Sequence, residues 1–154
     1  MEKINEFKQY FTETVYKPLN DLINTTSMFI ASIKNNDEVQ LHVTYEMMII
    51  NQFELFNRTT DLVDKMIAAK DKYNMRNELI DIKEENNDND NDDDDFENLI
   101  NIQMIKILFY AKNVQEKLEQ HDLRNAANNL KQLINLFRTF FQDMHEIYKY
   151  IILK

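Results

Sequence analysis

Apolar residues recur every three or four positions along most of the chain, the spacing of a helix that buries one face. The longest series lies toward the C-terminus: Leu123, Ala127, Leu130, Ile134, Phe137, Phe141, Met144, Tyr148 and Ile151, widened by Ala126, Leu133, Phe140 and Ile147. It predicts a fourth and last helix of about eight turns. Asp122 is placed to cap it, its carboxylate accepting free backbone N–H groups. Before it, Phe96, Leu99, Gln103, Ile107, Ala111, Val114 and Leu118 form the stripe of a third helix, with Ile102, Ile105 and Phe109 beside it. The break at His121-Asp122 is short enough to make these two helices antiparallel neighbours.

The N-terminal half carries two more helices. Ile4, Phe7, Phe11 and Val15 continue into Leu19, Leu22, Phe29 and Ile33, interrupted by Pro18, which predicts a kink or a restarted helix. Asn35-Asn36-Asp37 ends this segment, and Asp37 is placed to cap the next. From Val39 to Ile82 a second helix has Glu46, Ile49, Phe53, Phe56, Thr60, Val63 and Ile67 as its main stripe, with Met47, Met48, Leu55 and Leu62 off it. Apolar residues on more than one side predict contact with several neighbours or with a partner.

No stretch alternates with period two between turn glycines, so strands are not expected. The predicted fold is all-α: four long amphipathic helices in a bundle, a single helical domain over residues 1–154. At 154 residues the chain suits one core.

Charge refines this picture at one place. The formal net charge is −9, but Glu84 to Asp95, EENNDNDNDDDD, holds eight acidic residues and no basic one. Without that run, 19 acidic residues face 18 basic ones and the remainder is nearly neutral. The run, residues 84–95, is expected to be a disordered acidic linker between the second and third helices, held open by self-repulsion. Counted from Asn86, the oxygen positions of a calcium loop fall on Asp88, Asp90, Asp92, Asp94 and Glu97. The sixth position, which needs glycine for the sharp turn, is Asn91, and the eighth is Asp93 instead of an aliphatic residue, so a calcium loop is not expected.

Composition then removes whole classes of chemistry. The sequence has no Cys, which excludes disulfides, thiolate metal sites and a thiol nucleophile. It has no Gly, which excludes the phosphate-cradling loops and the nucleophile elbow that need glycine backbone freedom. Its serines, Ser27 and Ser32, lack a nucleophile context. The residues three before His42, His121 and His145 are Val39, Leu118 and Gln142, so no Glu-x-x-His pair of a di-iron bundle is present. An enzyme is not expected, nor a cofactor or metal. No basic stripe offers to neutralise phosphates, which argues against direct nucleic-acid binding. Apolar runs such as Met47-Met48-Ile49-Ile50 are too short to span a bilayer, and the N-terminus lacks the apolar core of a secretory signal. The expected location is intracellular, cytoplasmic or nuclear.

What remains is recognition by packing. The expected function is that of a helical subunit or adaptor of a multi-protein assembly, binding other subunits through helix–helix contacts, with a homo-oligomer possible. One seam of a bundle would bury only part of the last helix, so Phe137, Phe140, Phe141, Ile147 and Ile151 are its candidate interaction residues. The alternative is a free-standing module that sequesters a partner helix in an apolar groove.

The first three helices also resemble the intersex-type small subunit of the Mediator complex. The shared pattern is a leading helix, a helix with Phe53 and Phe56 at apolar spacing, a polar linker, and a helix with Ile105-Lys106, Ala111-Lys112 and Val114. It spans residues 1 to 120 at most and stops short of the last helix. The resemblance implies a nuclear, non-catalytic transcription coregulator, a family with no active residues to carry over.

Overall fold

The computed structural model describes the backbone of residues 2–80 and 90–153, and the side chains of residues 5–71 and 97–150. Helix α1 (Glu2–Phe11) runs through a π-helical turn (Thr12–Tyr16) into α2 (Lys17–Lys34), followed by α3 (Glu38–Ile80), α4 (Asp90–Glu119) and α5 (Leu123–Leu153). Since α1, the π-turn and α2 form one continuous rod, the bundle has four long helices, and the described residues contain no strand.

The π-turn is where Pro18 acts. Proline has no N–H to give the preceding turn, and its ring would crowd the carbonyl there. The chain widens just before it, with the Lys17 N–H reaching back to the Thr12 carbonyl, and Pro18 then sits in the first turn of α2. The helix neither stops nor restarts.

Two helical hairpins close with the same turn. Asn36 and His121 take the left-handed conformation, at φ 52° and 58°. In each turn the next residue's N–H bonds back to the helix, Asp37 to the Ser32 carbonyl (3.1 Å) and Asp122 to the Lys117 carbonyl (2.8 Å). The same aspartates then cap the following helices, the Gln40 N–H donating to the Asp37 carboxylate (3.1 Å) and the Asn125 N–H to that of Asp122 (3.4 Å). The Asn125 side-chain amide adds a second bond at 2.7 Å and holds the Asp122 carboxyl below its usual range. A glycine-free chain must spend a Cβ-bearing residue at each left-handed position. His121→Gly should therefore stabilise the protein by about 0.5–1 kcal/mol, read as a higher urea midpoint at unchanged slope.

Helix α5 lies at the centre, packed against α1, α2, α3 and α4, while α2 pairs with α3 and α4 with α5. The core runs from Phe7, Phe11 and Val15 through Leu22 and Phe29 to Leu55, Leu62, Ile107, Val114, Leu130, Phe137, Phe140 and Phe141. Antiparallel registers are marked by Lys65 over the Tyr10 ring (4.1 Å), Asn51 donating to the Thr25 hydroxyl (2.6 Å), and Gln103 donating to Asp143 (2.8 Å). Among the described residues, four of the five buried hydroxyls turn back to their own helix, Thr25, Ser32, Thr44 and Thr59 each donating to the carbonyl four residues earlier, while that of Thr26 has no partner.

Two expectations are corrected here. Asp90 to Asp95, the second half of the acidic run, begin α4 instead of lying in a linker. Acidic residues are favoured in the first turns of a helix, where its dipole is positive. Residues 84–89, the rest of the run, fall outside the described residues. The second correction concerns α3. Its inward face is Met48, Leu55, Leu62 and Met66, all fully buried; of the predicted stripe, Glu46, Ile49 and Phe53 point outward, while Phe56 and Val63 pack partly buried against the core.

Candidate functional site

Helices α3 and α4 flank α5 without closing on each other. Between them opens a cleft of about 480 Å³, lined by Tyr45, Ile49, Phe53 and Phe56 from α3 and by Leu108, Ala111 and Val114 from α4. The surface around it is apolar. On α3, Val39, Val43, Met47, Ile49, Ile50 and Phe53 are exposed, and on α4, Leu99, Ile102, Ile105, Leu108 and Phe109, each at between 37% and 72%. At about half exposure and on the order of 150 Å² per side chain, they present roughly 800 Å². The largest apolar patch of a typical monomer is about 300–600 Å².

The patch follows from where each helix needs its core residues. Ile107, Val114 and Leu118 fill the α4–α5 seam, which leaves Ile102, Ile105 and Phe109 on the far side. Likewise Met48 and Leu55 are buried in the core, which leaves Ile50 and Phe53 exposed. Beyond Phe53 the outward face of α3 turns polar through Asn57, Asp61 and Asp64, so the apolar stripe is confined to its first half.

The candidate interaction residues on the last helix take other places. Phe137, Phe140 and Phe141 are fully buried in the core and Ile147 is half-buried against it, so none of these three phenylalanines offers surface in the folded chain. The Ile151 side chain lies outside the described residues. Helix α5 meets neighbours on several sides, which consumes the arc that one seam would have left open. The signal for the exposed apolar face lay in Met47, Ile102, Ile105 and Phe109, which the main stripes left over.

Other features give little for chemistry to use. A smaller concavity of about 250 Å³ lies beside the π-turn, where Glu13, Lys17, Asp21, Glu54 and Arg58 mix both signs of charge. Glu54 there accepts a 2.9 Å bond from Arg58. Among the described residues no cluster of His, Asp and Glu could hold a metal ion, and no helix is long and apolar enough to cross a membrane. The phenols of Tyr10 and Tyr16 are pushed up, each mainly by burial.

His145 sits between the rings of Phe7 (6.1 Å) and Phe11 (5.3 Å), and burial, with help from Lys149 and Lys8, lowers its pKa. The unfolded chain therefore takes up this proton first as pH falls. Stability is unaffected above the ordinary histidine range and declines as pH drops through it, until the folded form is protonated as well. Urea midpoints measured at pH 7.5 and 5.5 should differ less in His145→Phe than in the native chain.

Compared with known protein families, characterised proteins and solved structures, the chain matches none of them.

Proposed function

We propose that this chain is a non-enzymatic helical subunit or adaptor of a multi-protein assembly, docking through the apolar face shared by α3 and α4. The observation that carries this is the set of exposed side chains from Val39 to Phe53 and from Leu99 to Phe109. Leaving them in water is costly, at about 25 cal/mol per Å², and burial against another helix removes that cost. The resemblance of the first three helices to the intersex-type Mediator subunit would make the assembly a nuclear transcription coregulator.

The open cleft favours a second reading, in which the chain stands alone and sequesters a partner helix between α3 and α4. One experiment addresses both. The tagged full chain is purified natively from its source cells beside an Ile50→Glu/Phe53→Glu variant. A stoichiometric set of other proteins, lost with the variant, supports the subunit reading. A single helical protein lost in the same way supports the free-standing module. Recovery of the chain without other proteins sinks both.

A further inference from the structure

The exposed apolar residues form two stripes that differ in charge. Along α3, Val39, Val43, Ile50 and Phe53 are accompanied by Glu38 and Glu46, and from Glu38 to Phe53 there is no Lys or Arg. Along α4, Ile102, Ile105 and Phe109 are accompanied by Lys106 and Lys112, and from Asn98 to Gln115 there is no Asp or Glu. All four of these charged residues are exposed. An acidic apolar stripe thus lies beside a basic apolar stripe, joined at the cleft that Phe53 and Leu108 both line.

A surface built this way is complementary to itself. We propose that a second copy of this chain covers the α3–α4 face, with α3 of each copy on α4 of the other about a two-fold axis. This rests on the reading of that face as a docking surface, and it names the occupant: the chain enters its assembly as a pair. In an isologous contact each copy contributes the same patch, so one chain must carry both halves of every complementary set. These two helices do so for apolarity and charge together. A face shaped for a foreign protein needs no such opposition of sign within one chain. The area agrees: roughly 800 Å² from each copy matches a standard stable interface of about 1,600 Å² in total. The carboxylates and ammonium groups at its rim fix orientation and register, while the apolar residues supply the affinity.

The test is sedimentation of the purified full chain over a concentration series. The native chain is expected to be a dimer. Lys106→Glu/Lys112→Glu places acidic groups on both stripes and should raise the dissociation constant by about tenfold or more, as should Glu38→Lys/Glu46→Lys, which makes both stripes basic. The chain carrying all four reversals restores opposite signs and should recover the dimer. A native chain that stays monomeric overturns the proposal, as does a dimer indifferent to the reversals or a fourfold variant that fails to recover. Should the chain be monomeric yet still bring down other proteins through Ile50 and Phe53, the second copy is wrong and the docking surface stands. If it is monomeric and brings down nothing, both are wrong.

Discussion

Phe141→Ala is expected to lower the stability of the bundle by about 3–5 kcal/mol, a large share of the roughly 5–15 kcal/mol that a domain of this kind has. The ring is fully buried on the central helix and lies against Phe137 (5.9 Å), Phe140 (6.1 Å) and, edge-on, Tyr16 (6.2 Å). Removing it takes the transfer energy of the ring and leaves a void that helices held on several sides can close only in part. Phe141→Leu keeps most of the volume and should cost about 1–2 kcal/mol. The charged counterparts are harsher: Phe137→Glu and Phe140→Glu must each bury a carboxyl without a partner, and neither variant should give a cooperative thermal transition. Circular dichroism with urea titration reads all four. Native-like midpoints in both glutamate variants would return these positions to the surface and undo the assignment of α5 as the core.

The opposite result is expected on the outer face of α3. Ile50→Glu/Phe53→Glu changes two side chains that are 66% and 69% exposed, so the urea midpoint should move by no more than about 0.5 kcal/mol per site. Glutamate is a good helix former, and the stripe already carries Glu46. Binding should respond very differently. Truncation of a central apolar anchor commonly costs about 2 kcal/mol or more, roughly thirtyfold in affinity, and a buried charge adds to that. Stability kept and association lost, in the same variant, is a combination that core residues cannot produce. Association kept at native strength would remove the α3 stripe from the interface.

Most of the architecture was legible in the residue pattern because helix formation answers to local spacing. Phe7, Phe11, Val15, Leu19 and Leu22 are read as one stripe and buried as one stripe. The caps at Asp37 and Asp122 follow from residue type and place, and so does the antiparallel pairing of the last two helices. Pro18 marks its disturbance correctly, although the chain answers with a π-turn and stays helical, since a widened turn accommodates the missing donor at lower cost than a break.

Which face of each helix turns inward was a different matter. Along α3 the apolar residues encircle the helix, so Met48 and Leu55 look no more interior than Ile49 and Phe53. Periodicity reports that a helix has apolar faces; it does not report how many neighbours will cover them. Only the packing of α5 between all the others, and the gap left between α3 and α4, decided that Phe137, Phe140 and Phe141 are core and that Ile50, Phe53, Ile105 and Phe109 are surface. Burial is settled by long-range contact between helices far apart in the chain, and a local pattern holds no record of it.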